Sequence, residues 1–249
     1  LKKSFEKQYH LFEKNHFWFK ARRKYILQLL NTYSKNSSIL DIGCSSGILL
    51  NELINIGFDS SNLFGIDISP KAIKNCKKNG IENAYVMDAQ NILLNKKFDI
   101  IIASDCLEHI KNDEEAIKNW FNLLKPNGFL YVFVPAYNML WSNHDVANMH
   151  YRRYTKNELT KKLYGAPFKV VKSGYWNFLL FIPVLIIRIF SKIKILKSKE
   201  VNGNLYKPGL LNNILFNLIN LENKVLKHIS FPFGISTYCV VQKSASKKD

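Results

Sequence analysis

Cysteine is scarce and never paired in this 249-residue chain. Cys44, Cys76, Cys106 and Cys239 stand far apart, with no CxxC among them. That spacing argues against a disulfide framework and a structural zinc ribbon and predicts a reduced, cytosolic protein. Acidic residues are few: 19 against 36 lysines and arginines, for a formal net charge of +17. Two readings stay open. The excess points either to an anionic partner (nucleic acid, an acidic metabolite, a membrane face) or to lysine-rich background usage, since the lysines are spread along the whole chain. A run long enough to span a bilayer is also missing; the apolar stretch Phe178–Ile187 is too short and is expected to be broken by Pro183. Lys2 through Arg23 is charged and amphipathic, which does not read as a cleavable signal. Two nucleotide signatures are absent too. Counted from Gly43, a dinucleotide loop needs glycines at 45 and 48, where the chain has Ser45 and Ile48, and no P-loop run of the form GxxxxGKS/T occurs.

What is present is a core-forming chain, 47% hydrophobic. Residues 1–35 read as helical, with Phe5, Tyr9, Phe12, Phe17, Phe19, Ile26, Leu29 and Leu30 near helical spacing. From residue 38 strands and helices alternate. Strands are expected at Ser38–Ile42, Leu63–Asp67, Ala84–Met87, Phe98–Ser104 and Phe129–Val134. Helices are expected at Ile48–Ile56, from Ser69-Pro70 to Gly80, and at Asp113–Leu124, the last stopped by a turn at Lys125-Pro126-Asn127-Gly128. Such alternation implies a doubly wound parallel sheet with ligands at the carboxyl ends of its strands. Ala136–Tyr154 looks like a loop. Thr155–Leu163 opens with a Thr155/Glu158 capping box, and Phe168–Tyr175 and Ser236–Gln242 read as strands. Residues 176–233 form an apolar, basic insertion.

The loop ILDIGCSSGILL (Ile39–Leu50) carries D-x-G-x-x-x-G: Asp41, Gly43 and Gly47. LFGIDIS puts Asp67 at the end of the second strand, and YVMDAQN puts Asp88 after the third. FDIIIASDCLEHI and LKPNGFLYVFVP follow in order. Over residues 38–135 the chain thereby resembles the class I S-adenosylmethionine-dependent methyltransferases, although Ser45 stands where many members have glycine. HFWFKARRKYIL, HYRRYTKNEL and FPFGISTYCVVQK narrow the resemblance to the ubiquinone-biosynthesis-like branch. The implied fold is α/β: a Rossmann-like, doubly wound seven-stranded sheet with a helical N-terminal lid (1–35), a core at 36–175 and 234–244, and a helical insertion (176–233) before the last strand. The implied cofactor is S-adenosylmethionine, leaving as S-adenosylhomocysteine. The residues matched to it are Arg22, Asp41, Gly43, Cys44, Gly47, Asp67, Ile68, Asp88, Ala89 and Ser104. Asp67 would accept from the ribose hydroxyls, Asp88 from the adenine amino group, and Arg22 would face the methionine carboxylate. The alternative for Arg22 is a solvated arginine on a packed helix. Ser46 is a candidate cap for the helix after the loop.

Methyl transfer from a sulfonium needs positioning, and a base only when the acceptor must lose a proton. His109, His144 and His150 are the candidate catalytic groups, with Asp145, Asp105 and Glu108 beside them. The same residues could form a metal set, but their spacing alone fixes no geometry, and no metal is assigned. Asp105, Tyr137, Arg152 and Arg153 are the candidate acceptor contacts. Arginine occurs only at 22, 23, 152, 153 and 188, so a paired Arg152-Arg153 suggests forked donors for a phosphate or carboxylate, or else an ion pair holding the loop. Asn177–Lys197, with Arg188, Lys192, Lys194 and Lys197 at its basic end, reads as core, dimer contact, interfacial helix or lid. The expected function is O- or N-methylation of a small-molecule or lipid- or sugar-linked acceptor by a cytoplasmic monomer or homodimer, with peripheral membrane contact left open. The rivals are an RNA or protein methyltransferase and a non-catalytic cofactor-binding membrane protein. A nucleic-acid acceptor is disfavoured: no proline-rich run follows the fourth strand, where the chain reads Ser104-Asp105-Cys106-Leu107.

Overall fold

The computed structural model describes residues 12–192 and 209–244. The helix expected over 1–11, Lys194 and Lys197 lie outside the described residues. Five strands follow the alternation in order: β1 (Ile39–Ile42), β2 (Leu63–Asp67), β3 (Ala84–Val86), β4 (Phe98–Ser104) and β5 (Leu124–Pro135). The helices between them are α2 (Ile48–Asn55), α3 (Pro70–Lys78) and α4 (Asp113–Leu123). They follow α1 (Phe17–Leu30). Beyond β5 come α5 (Asn143–Ala147), α6 (Lys156–Tyr164), β6 (Phe168–Trp176), α7 (Phe181–Lys192), α8 (Leu210–Val225) and β7 (Ser236–Lys243).

The seven strands form one sheet in the order β3-β2-β1-β4-β5-β7-β6. Central β1 is buried at every residue, as a strand covered on both faces must be, and Ile39 pairs with Leu63 on one side and Ile100 on the other. The strand order reverses beside β1, which opens a crevice at the carboxyl ends of β1, β2 and β4. The sheet is not wholly parallel. β7 lies antiparallel between β5 and β6, pairing Phe133 with Tyr238 and Gly174 with Tyr238.

Each sheet face carries its own apolar core. On one side α4 and α6 pack through Trp120, Ile117, Leu159 and Leu163. On the other α1 and α8 pack through Tyr25, Ile26, Leu30 and Ile219. α1 is stitched to α8 by polar contacts as well: Asn223 Nδ2 donates to the Ala21 carbonyl (2.9 Å), and Gln28 Nε2 to the Asn223 carbonyl (3.0 Å).

Helix starts follow local chemistry. The Ser69 hydroxyl accepts from the Ala72 amide with Pro70 in the first turn, and Thr155 and Glu158 form the expected capping box. Four local expectations are corrected. Lys125–Gly128 follows the end of α4 as expected but is not a turn ahead of the strand; it bulges inside β5, between the pairs Phe98–Leu124 and Ile100–Phe129, with Asn127 at φ 62° and Lys125 held by Asp99 at 2.7 Å. Ser46 does not cap α2. Gly47 takes that position at φ +71°, while the Ser46 carbonyl accepts from Asn79. Residues 136–154 are not all loop, because Ser142 and Asp145 form a second capping box that starts α5. Pro183 does not break α7, because it falls in the first turn, where no amide donor is needed.

Candidate active site

The segment after β1 turns sharply. Gly43 sits at φ +75°, Ser45 at 48° and Gly47 at +71°, all in the left-handed region. The Gly43 and Cys44 amides both donate to the Ile66 carbonyl (2.8 and 2.9 Å), which ties this loop to the end of β2. Gly47 is irreplaceable on two counts: its φ, and a Cβ that would lie 2.4 Å from the Cys76 sulfur. Ser45 carries a strained φ without being glycine, and its hydroxyl donates to Glu13 (3.1 Å). Asp67 joins two loops. One oxygen accepts from the Ser45 amide (3.0 Å) and the other from the Ser69 amide (2.8 Å).

A cavity of about 540 Å³ opens over these strand ends. Gly43, Asp67, Ile68, Asp88 and Ala89 line one end of it. Glu108, His109, His144, His150 and Arg153 line the other. Aromatic residues of α1, Phe17, Trp18 and Phe19, lie on its wall with the cap residue His16.

The histidine end is dense. Asp145, fully buried, accepts from His150 Nδ1 (2.9 Å) and from Arg153 Nε and Nη2 (2.8 and 3.0 Å). It also accepts from the Ser142 amide (2.9 Å). Burial alone would raise this carboxyl, but the His150 and Arg153 bonds outweigh it and hold the group well below the usual carboxylate range. The His150 ring stands edge-on to His109 at 4.6 Å. Burial, then the charge of His150 nearby, lowers His109 to about 3, and burial foremost lowers His144 to about 4. Both are therefore neutral at pH 7. Glu108 is fully buried, and neither of its carboxyl oxygens has a hydrogen-bond partner among the described residues. Burial, then Asp105, pushes its carboxyl well up from the usual carboxylate range. One ligand atom each of Glu108, His109 and His150 lies within 4.8 Å of the others, a spacing at which the three could meet around one cation.

Of the residues expected from sequence, Gly43, Asp67, Ile68, Asp88, Ala89, Asp105, His109, His144, His150 and Arg153 reach the wall. Others stand behind it. Asp41 is buried; burial first, then Glu13 and Asp67, raises its carboxyl to about 8. Cys44 is buried against Leu50 and Gly65, and Gly47 heads α2. Ser104 points its hydroxyl at Asp105 (3.5 Å). Arg22 is 2% exposed, with its guanidinium 4.2 Å over the Trp176 ring, 3.4 Å from Asp105 and 2.7 Å from Ser236 Oγ. Its charge is committed to Asp105. The arginine pair divides: Arg153 serves Asp145, whereas Arg152 pairs with Asp113 at 2.9 Å and donates to the Lys111 carbonyl, away from the wall. Tyr137 stacks on Tyr175 at 5.1 Å. Sequence reasoning missed Leu180, Val184 and Arg188 as wall residues; their only signal was an i, i+4, i+8 spacing inside an all-apolar stretch.

Residues 14–173 match the family model described as "Methyltransferase domain". The chain belongs to that family, among the class I S-adenosylmethionine-dependent methyltransferases. S-adenosylmethionine is accordingly the cofactor of its family. Similar chains include the ubiquinone biosynthesis O-methyltransferase of Pelagibacter ubique, 34% identical over 103 residues, which are 39% of this chain and 42% of that protein. Another is the putative methyltransferase 235L of Invertebrate iridescent virus 6, 30% identical over 117 residues, 47% of this chain and 43% of that one. The match spans under half the length of both relatives. Among solved structures, a chain from the complex between the Haloferax volcanii Trm112 methyltransferase activator and the putative methyltransferase aligns with TM-score 0.62 at 14% identity, covering 98% of this methyltransferase-family chain and all of that one. The N-methyltransferase NodS from Bradyrhizobium japonicum, in complex with S-adenosyl-l-homocysteine, aligns with TM-score 0.56 at 14% identity, covering 93% and 90%. These likenesses carry the Rossmann-like methyltransferase fold.

Proposed function

We propose that the chain moves the methyl group of S-adenosylmethionine onto a hydroxyl, or an amine, of a small or lipid-linked acceptor. The observation that carries this reading is one continuous cavity with Gly43, Asp67 and Asp88 at one end and His150 on its buried Asp145 at the other. In it Asp67, at the end of β2, takes the ribose hydroxyls, Asp88 takes the adenine amino group, and the bare backbone at Gly43 admits the methionine arm. Displacement is in line: a lone pair of the acceptor forms the new bond to methyl carbon, and the sulfur–carbon electrons return to sulfur as neutral S-adenosylhomocysteine. The acceptor proton passes to His150 Nε2. Asp145 fixes the tautomer by holding Nδ1–H and stabilises the imidazolium that forms. Such a base suits a hydroxyl better than a free amine, which agrees with the O-methyltransferase names of several relatives.

Calorimetry with S-adenosylhomocysteine tests the cofactor half, and tritiated methyl transfer into small-molecule, lipid and RNA fractions tests the acceptor half. Asp67→Ala is expected to weaken cofactor binding at least about tenfold. His150→Ala should leave that binding intact and lower turnover by ~10²–10⁴. Absence of cofactor binding by the full chain would overturn the proposal. Equal turnover in His150→Ala would remove the base from it.

A further inference from the structure

α7 is apolar around nearly its whole circumference, yet only one face is packed. Phe181, Val184 and Leu185 turn inward against Leu140, Tyr137 and Phe233, and Val184 and Arg188 reach the cavity wall. The opposite face is bare: Ile182, Ile186, Ile187, Ile189 and Phe190 are each about half exposed, Ile187 at 57%. The first turns of α8 add Leu210, Leu211 and Ile214 at 92%, 63% and 63%. A helix apolar all round requires cover. No described helix is long and apolar enough to cross a membrane.

The charge around these helices decides between coverings. By sequence, residues 177–230 hold eight lysines and arginines against two glutamates; Arg188 among them lies on the cavity wall, and Lys194, Lys197, Lys199, Glu200 and Lys207 fall outside the described residues. The other glutamate, Glu222, is buried and accepts from the Phe178 and Leu179 amides, so it offsets nothing at the surface. A second copy of a +17 chain laid on this face would bring like charge to like. An anionic bilayer supplies hydrocarbon for the isoleucines and opposite charge for the lysines together. We propose that the outer face of α7 docks in the plane of an anionic lipid surface. The same helix would then present its inner face to the cavity and its outer face to the bilayer, one helix diameter apart. This surface stands or falls separately from the catalytic reading.

Flotation of the full chain with phosphatidylcholine vesicles containing roughly one-third phosphatidylglycerol tests it. Wild type should co-float, and pure phosphatidylcholine vesicles should retain at least about tenfold less protein. Ile187→Glu with Phe190→Glu, both on the exposed face, should cut binding by about tenfold or more while melting temperature and S-adenosylhomocysteine affinity stay unchanged. Three results would overturn the proposal: no flotation of wild type, equal flotation of the double variant, or a wild-type dimer that the double variant splits without vesicles present. The last would assign the face to a second copy of the chain.

Discussion

Truncating Asp145 removes the acceptor on which three neighbours depend. Asp145 has no exposed side-chain surface and the Arg153 side chain only 6%, so the pair sits in a low-dielectric pocket. Asp145→Ala leaves Arg153 Nε and Nη2, His150 Nδ1 and the Ser142 amide without their partner. Among the described residues, only the Ala136 carbonyl (3.0 Å) then still accepts from the Arg153 guanidinium. Breaking a buried ion pair from one side costs about 3–5 kcal/mol. In a domain of this size that corresponds to a fall in Tm of roughly 6–20 °C. The strain is electrostatic, not a matter of volume, so removing the cation as well should relieve it. Asp145→Leu combined with Arg153→Met is therefore expected to regain much of the loss, with a coupling energy of about 2 kcal/mol or more in a double-mutant cycle. Urea unfolding of wild type, both single variants and the double variant measures it. Additive single-site effects, or a Tm for Asp145→Ala within about 2 °C of wild type, would refute the assignment of Asp145 as the anchor of this cluster.

Two further expectations follow from the burial of charge and of glycine. His109 is lowered to about 3 in the fold, so the unfolded chain binds its proton first; the neutral ring's stabilisation is complete above about pH 6.5 and is lost as the pH falls toward 3. Asp41 and Glu108, both raised, act with the opposite sign and flatten the whole-protein curve. The comparison of wild type with His109→Asn isolates the histidine: between pH 6 and 4 the variant should lose less stability, by up to ~1.4 kcal/mol per pH unit, and parallel curves would contradict the burial of a neutral ring. Gly47→Ala meets both a left-handed φ and the Cys76 sulfur, and is expected to destabilise by about 2–4 kcal/mol. Adding Cys76→Ala should return the steric share, visible as a partial recovery of the urea midpoint; no recovery would place the whole cost in the backbone.

The half of the site that rests on strand ends was readable in advance. Asp67 and Asp88 follow strands whose apolar runs are short and flanked by punctuation, and Gly43 and Gly47 sit where a strand must reverse into a helix. Periodicity places such residues because backbone geometry does. The acceptor half was read only as a set of residue types. Nothing local brings His150 to Asp145 and Arg153 rather than to His144; the Ser142 capping box does so by winding a short helix inside what reads as loop. Arg152 and Arg153 are adjacent and chemically identical, yet one faces Asp113 and the other Asp145, a division that only the folded chain decides. Arg22 likewise reads as a ligand or as a surface residue; its burial between Trp176 and Asp105 depends on β6 and the end of β4, both far away in sequence.

The placement of β7 has a consequence for how the chain is made. It comes last among the described strands, yet it lies inside the sheet, with β5 on one side and β6 on the other. Until residues 236–243 have left the ribosome, β5 presents an unpaired apolar edge bearing Leu130, Val132 and Val134, and β6 has no partner strand among the described residues, only the single bridge from Tyr175 to Phe231. Assembly of this half of the sheet thus waits for residues 236–243 and depends on pairings of long sequence separation, and the nascent chain carries an adhesive edge throughout that interval.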